Sequence, residues 1–208
     1  DIDGNIYQTV VIGDQVWMSE NLNTIQYNNG ENILYRAINQ ENPGPGYTDY
    51  ANDESNSDIY GRLYNWYAVD DERGVCPTGW YVPSDEEFKV LEIFLGMSEE
   101  EANNWGYWRG TDEGGKIKEA GLEHWASPNT GATNESGFSA LPGGIHSADD
   151  GLSGTELSFS AYFWVGGEEA NWQRAHYRRL NFGNTGINRD NEKKNVAMSI
   201  RCVANLGC

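Results

Sequence analysis

The sequence predicts an α+β fold, and three features of the chain support this prediction. An aromatic, β-prone run occupies residues 60–69, a helix with clear capping signals begins at Ser84, and the last third contains several strand-like runs separated by turns. The 208 residues are 38% hydrophobic and 12% aromatic, which is enough for a real core. No Pro/Ser-rich linker divides them, so we expect one domain over residues 1–208 with mixed or antiparallel sheets, two or more short helices and long loops.

The first 27 residues predict a hairpin-like opening. A turn at Gly4 precedes a strand over residues 6–12, and Gly13-Asp14 forms a second turn before the next strand. The opening Asp-Ile-Asp-Gly-Asn string also invites comparison with a calcium loop. An EF-hand loop needs glycine at position 6 and a carboxylate at position 12, where this chain has Ile6 and Ile12, so a turn is favoured.

Residues 28–57 form a polar excursion rich in Gly, Pro and Asn, with Pro-Gly-Pro-Gly at 43–46. We expect a long ordered or partly mobile loop. The sequence does not distinguish a functional loop from an inert insertion.

The aromatic run at 60–69 predicts a buried strand, because large rings can fill both faces of a pleated strand. The helix after it has a predicted capping box between Ser84 and Glu87, acidic residues in its first turn and Gly96 just beyond its end. Its predicted apolar face consists of Phe88, Leu91, Phe94 and Leu95. We expect this face to pack on the aromatic strand, its nearest neighbour in sequence.

A second capping pattern at Ser98 predicts a shorter helix that ends near Trp105, and a further short helix or turn is predicted over 116–122. The final third predicts strands over 159–165, 175–180 and 196–203, with Ile187 near a turn.

The charge balance excludes some partners. The chain has 14 Lys and Arg against 32 Asp and Glu, a formal net charge of −18, so nucleic acid and anionic membrane surfaces would be repelled. No apolar run approaches the ~20 residues of a membrane span, and we predict no membrane insertion. The chain opens on Asp1 without a signal peptide, as expected of a mature protein or an excised fragment.

The motifs YGRLYNWYAV, CPTGW, VPSDEEF, NESGFSALPGG and SIRCV occur in this order, after the N-terminal DIDGNIYQTVVIGDQVWMSENLN. This series resembles the Fibrobacter succinogenes major paralogous domain family, found in secreted and surface proteins of Bacteroidetes-type bacteria, over nearly the whole chain. The resemblance implies a C-type-lectin-like fold, related to that of formylglycine-generating enzymes, and an extracellular location. It also implies core positions for Trp125 and Phe138.

The resemblance further implies a disulfide between Cys76 and Cys202. Closing a loop of that length would stabilise the fold by about 4 to 5 kcal/mol on the entropic model and requires an oxidising compartment. Cys208 is then left either as a free thiol at the chain end or as one half of a disulfide, either intermolecular or with an unidentified partner.

Ligand-binding residues are expected where the lectin-like fold presents its loops, in the final third of the chain. The expected ligand contacts there, with the aromatic cluster before Gly110 in support, are Trp172, Arg174, His176, Tyr177, Arg178, Trp105, Tyr107 and Trp108. The alternative for the cluster before Gly110, that its rings pack in the core under the helices, is somewhat favoured. The calcium-binding tripeptides of sugar-binding lectins are absent, as are paired reactive cysteines and HExxH, GxSxG or phosphate-loop motifs. We therefore predict no catalytic residue, metal site or cofactor; calcium at Asp149-Asp150 with Glu156 has no motif to support it, and each of the three histidines is expected to be a loop or strand residue.

These features favour a non-catalytic recognition domain, exported or displayed on a bacterial cell surface, that binds glycan or protein. One alternative is a structural subunit of an extracellular filament or surface layer, with self-association through Cys208 or residues 28–57. A polysaccharide hydrolase is a third possibility, for which two carboxylates would have to face one cleft.

Overall fold

The computed structural model describes residues 1–36, 44–147, 156–171 and 173–205. Its strands are β1 (Thr9–Ile12), β2 (Gln15–Met18), β3 (Leu34–Tyr35), β4 (Gly46–Thr48), β5 (Leu63–Asn65), β6 (Gly106–Arg109), β7 (Ser160–Asn171), β8 (Arg174–Asn181), β9 (Ile187–Lys193), β10 (Ala197–Met198) and β11 (Val203–Asn205). Its helices are α1 (Ser57–Tyr60), α2 (Trp66–Val69), α3 (Asp85–Phe94), α4 (Glu99–Asn103) and α5 (Glu113–Ile117). The mixture of strands and short helices confirms the predicted α+β class.

The strands form three sheets. The first has the order β1-β2-β11, so the N-terminal hairpin pairs with the last strand; the second has the order β10-β5-β4-β3; the third, the long sheet, has the order β6-β9-β8-β7. All pairings are antiparallel except β3 with β4. The predicted hairpin is confirmed, with Gly13 at a φ of +61° in its turn, a conformation that glycine adopts without strain.

The long sheet is packed on both faces along β7. Tyr162 and Trp164 belong to one hydrophobic cluster with Tyr64 and Trp66, whereas Ala161, Phe163 and Val165 belong to a second cluster with the core-facing residues of α3. Successive residues of a strand point to opposite faces. The run Ala-Tyr-Phe-Trp-Val is therefore continuously apolar, because each of its side chains is buried in one of the two clusters.

The disulfide that the resemblance implies is confirmed. Cys76 and Cys202 are bonded, with their Cα atoms 6.0 Å apart, and both lie in the first of these clusters. Cys202 immediately precedes β11, and Cys76 lies nine residues before α3. The bond therefore joins the segment that leads into the longest described helix to the start of the last strand, β11, in the first sheet.

The capping box of α3 is also confirmed. The Ser84 hydroxyl accepts a hydrogen bond from the Glu87 amide at 3.3 Å, and the Glu87 carboxylate accepts one from the Ser84 amide at 2.7 Å. Phe88, Leu91 and Leu95 are buried as predicted, but Phe94 is 62% exposed, so its assignment to the apolar face was wrong. Its ring instead lies beside the hairpin turn at Gly13.

The predicted docking partner of α3 was wrong as well. The ring of Phe88 lies 5.2 Å from that of Trp17 on β2, and the core-facing residues of α3 share a cluster with β7 rather than with the aromatic run. The expected strand over 60–69 is limited to β5, because Asn65 caps the helical turn α2 by accepting a hydrogen bond from the Ala68 amide.

Other boundaries also differ from the predictions. Ile187 begins strand β9 instead of lying near a turn, α4 ends at Asn103, before Trp105, and α5 begins before the predicted residue 116. Residues 28–57 contain β3, β4 and two 3₁₀ turns, and residues 37–43 of this segment lie outside the described ranges. Trp125 and Phe138 are 2% and 0% exposed, which confirms their place in the core. The longest described helix has ten residues, and none in the described ranges reaches the length and apolarity of a bilayer crossing.

Candidate functional site

The candidate site lies on the face of the long sheet toward which α3 packs. The register pairs Arg178 with Arg189, His176 with Asn191 and Arg174 with Lys193. Residues paired across an antiparallel ladder project from the same face of the sheet, and so do residues two apart along one strand. The three pairs therefore lie side by side on one face, from the end that α3 covers to the end that it leaves open.

At the covered end, two carboxylates of α3 meet three arginines of the sheet. Glu92 accepts hydrogen bonds from Arg109 Nη2 at 2.8 Å and from Arg178 Nε at 2.7 Å. Asp85 Oδ1 lies 2.9 Å from Arg178 Nη1, and Asp85 Oδ2 lies 2.5 Å from Arg189 Nη2. All five side chains are at most 9% exposed. We call this group the buried ionic cluster.

The charges in the buried ionic cluster determine the protonation of Asp85. Burial alone would raise the pKa of Asp85, but the neighbouring charges of Arg178 and Arg189 outweigh burial and hold the pKa well below its usual value. The carboxylate is therefore ionised at any physiological pH. Since a buried charge left without a partner is costly, each of these carboxylates of α3 is matched by arginines of the sheet in the observed position of the helix.

At the open end, the Trp105 side chain is 52% exposed. The guanidinium of Arg189 lies 3.9 Å from the centroid of the Trp105 ring, and the His176 ring centroid lies 4.6 Å away at an interplanar angle of 43°. Arg189 itself is held by Asp85, so the buried ionic cluster supports the indole through a cation–π contact. The tryptophan is thus an exposed aromatic plane with a fixed orientation.

Polar groups border this plane. Arg174 Nε donates to Asn191 Oδ1 at 3.0 Å, and Arg174 Nη2 lies 3.3 Å from Glu192 Oε1. The side chain of Arg174 is 34% exposed. Together Trp105, His176, Arg174 and Asn191 form what we call the open-end surface, which combines a ring face with hydrogen-bond donors in a chain that is otherwise strongly acidic.

Two of the predicted ligand contacts are corrected by their placement. Arg178 is 1% exposed, and its guanidinium is enclosed by Asp85 and Glu92, so it cannot face a ligand. Tyr177 is 7% exposed and packs 5.7 Å from the Tyr162 ring, on the other face of the sheet. Both side chains are structural because β8 is covered at those positions.

The remaining predicted contacts divide between the faces of the long sheet and its edge. Tyr107 is 67% exposed on the edge strand β6. Trp108 has a φ of +56° and lies near Arg179, which shares its face with Tyr162; Trp108 therefore does not belong to the open-end surface. Trp172 and Cys208, like Asp149 and Asp150, lie outside the described residues.

Sequence reasoning missed Asn191 and Arg189, which support the open-end surface. They lie in the run Ile-Asn-Arg-Asp-Asn-Glu-Lys, where the apolar alternation that marks a half-buried strand is absent. The remaining signal was the spacing of Arg189 and Asn191 by two residues, which places both on one face once the segment is known to be a strand.

Comparisons with known proteins agree with the motif order. A search of curated proteins and a search of solved structures found no match. A family model, the Fibrobacter succinogenes major domain, matches residues 10–204. The matched range extends from β1 to β11 and includes the disulfide, the buried ionic cluster and the open-end surface. The chain belongs to the Fibrobacter succinogenes major domain family.

Proposed function

We propose that this domain is a non-catalytic recognition module, exported or displayed on the bacterial surface, that binds carbohydrate at the open-end surface. The observation that carries the proposal is the Trp105 ring, half exposed yet held by Arg189 and His176. A fixed aromatic face offers apolar contact to the C–H face of a sugar ring at little cost in side-chain entropy.

The border of the ring favours sugar over a purely apolar ligand. Arg174 and Asn191 can donate and accept hydrogen bonds beside the indole, within reach of a hydroxyl or carboxylate on a ring that lies against Trp105. Arg174 is already oriented by Asn191 and Glu192. This arrangement favours a planar ligand with polar groups at its edge.

The disulfide supports export, because such bonds persist in oxidising compartments. We also propose that the fold is of the C-type-lectin-like type. In support, the last strand, β11, joins the N-terminal hairpin by pairing with β2. The long-range disulfide links residues on either side, in sequence, of the strands that form the long sheet.

A glycan array that includes neutral and carboxylated saccharides, probed with and without calcium, tests the proposal. For a glycan found to bind, Trp105→Ala should lower affinity at least about tenfold, which corresponds to 1.4 kcal/mol of binding free energy. Tyr67→Ala is the matched control, because Tyr67 is a 39% exposed aromatic on α2, and the buried residues of α2 pack on the opposite face of the long sheet, with Trp164 and Tyr177.

Equal losses in both variants, or an undiminished affinity of Trp105→Ala, would contradict the assignment of the ligand to the open-end surface. If no glycan on the array binds, and a protein ligand is then found whose binding requires Trp105, the ligand class of the open-end surface is protein rather than carbohydrate.

A further inference from the structure

Outside the open-end surface, three potential metal ligands converge in the segment after α5. One ligand atom from each of Glu119, Glu123 and His124 lies within 4.8 Å of the other two. His124 Nδ1 is 2.9 and 3.0 Å from the two carboxylate oxygens of Glu119. These separations approach those between neighbouring ligand atoms around one small ion, since Zn–N and Zn–O bonds are about 2.0 to 2.2 Å long.

The backbone that carries these ligands is held by its own hydrogen bonds. Asn129 is 5% exposed, and its side-chain amide donates to the carbonyl oxygens of Glu119 and Gly121 at 2.9 and 2.8 Å. The indole of Trp125, the residue after His124, donates to the Ala140 carbonyl at 3.0 Å. The segment is thus fixed at both ends, and bringing the ligands together costs little further conformational entropy.

The imidazole itself has limited freedom. The Tyr60 ring packs edge-on against His124 with centroids 5.7 Å apart, and the side chains of His124 and Glu119 are each 21% exposed. Without a metal, the Nδ1 proton is donated to Glu119. In the tautomer with its proton on Nε2, Nδ1 has a free lone pair beside the two oxygens of the Glu119 carboxylate and can serve as a metal ligand.

We propose that Glu119, Glu123 and His124 bind one Zn²⁺ ion. An imidazole nitrogen with two carboxylates suits zinc and similar divalent transition metals, whereas Ca²⁺ prefers a shell of oxygens. Three protein ligands leave a fourth position for water, and the chain's net charge of −18 raises the local concentration of cations. The sequence prediction of His124 as an ordinary loop residue does not take this convergence into account.

The alternative without a metal is an ion pair between His124 and Glu119, with Glu123 facing solvent. Glu123 distinguishes the two interpretations, because it is exposed and has no part in that pair. Glu123→Gln keeps the shape of the side chain and the His124–Glu119 contact, and it removes one anionic ligand.

The test is calorimetric titration of the domain with zinc chloride after chelator dialysis, in a Cys208→Ser background that removes thiolate binding at the chain end. We expect one Zn²⁺ per chain, with affinity at least about tenfold lower in Glu123→Gln and lost in His124→Ala. His176→Ala is the matched control, because it removes a histidine from the open-end surface, and it should bind zinc as the parent does. Calcium chloride should give no binding at this site.

Thermal unfolding provides the fold control and a second measurement. Glu123→Gln should melt with the parent in the absence of metal, because Glu123 is exposed. Added zinc should raise the melting temperature of the parent more than that of the variant, since a ligand of the native state stabilises in proportion to its affinity. Equal zinc affinity in the parent and in Glu123→Gln, or no zinc binding by the folded parent at millimolar concentration, would overturn the proposal.

Discussion

Arg178 and Arg174 occupy the same face of one strand, four residues apart, and have different roles. Arg178 lies beneath α3, with its side chain 2% exposed and paired with Asp85 and Glu92, whereas the side chain of Arg174 is 34% exposed and borders Trp105's surface. The difference comes from where the helix lies over the sheet. The comparison teaches that residue type alone does not identify a ligand-binding arginine; the element packed above it does.

The largest expected effect is at the covered end. Glu92→Gln should lower the free energy of unfolding by about 3 to 5 kcal/mol, because it leaves Arg109 and Arg178 without their shared buried carboxylate. Chemical denaturation with urea measures it. The matched control is Glu192→Gln at the open end, where the pair with Arg174 is partly exposed and the expected loss is at most about 1 kcal/mol. Similar losses at both ends would remove the distinction between them.

A smaller effect is expected on acid stability. Asp85 has a folded-state pKa below the value of 3.8 for an unperturbed aspartate, because the charges of Arg178 and Arg189 outweigh burial. Its contribution to stability is therefore fully present above about pH 4 and is lost as pH falls further. Between pH 4 and pH 2, Asp85→Asn should lose stability less steeply than the parent.

Urea unfolding at a series of pH values measures this slope. Asp58→Asn, which removes one negative charge at an exposed site on α1, is the control for the general effect of net charge. Parallel curves for the parent and Asp85→Asn would show that the buried ionic cluster does not govern acid unfolding.

The smallest effect is expected at the open end. Trp105→Ala and His176→Ala should each change the free energy of unfolding by no more than about 1 kcal/mol, because neither side chain is fully buried. Melting temperatures by circular dichroism provide the measurement. A loss comparable to that of Glu92→Gln would mean that Trp105 stabilises the fold instead of presenting a surface.

The parts of the fold that follow from short sequence spacings were predictable. The capping box of α3 depends on Ser84 and Glu87, three residues apart, and the hairpin depends on the turn at Gly13. Both devices act within one turn of chain, so their residues carry the information locally.

The parts that depend on distant residues were not predictable in the same way. The partner of Phe88 is Trp17, 71 positions earlier in the numbering, and the arginines of the buried ionic cluster lie up to 104 residues from their carboxylates. Arg178 and Tyr177 were predicted as ligand contacts because they are polar and aromatic residues of the final third of the chain, where the lectin-like fold presents its ligand-binding loops. The sequence also placed Trp105 and His176 among the ligand contacts without indicating that their rings meet.

The disulfide has a consequence for how the domain survives attack by proteases. The whole long sheet, from β6 to β9, lies between Cys76 and Cys202 in the sequence. β2 and β11, which flank this interval, pair with each other, and β10, which lies within it, pairs with β5 outside it. A single backbone cut in an exposed connection of that interval leaves two fragments joined by a covalent bond and by shared ladders. Such a nicked molecule would migrate as one species until a reductant is added.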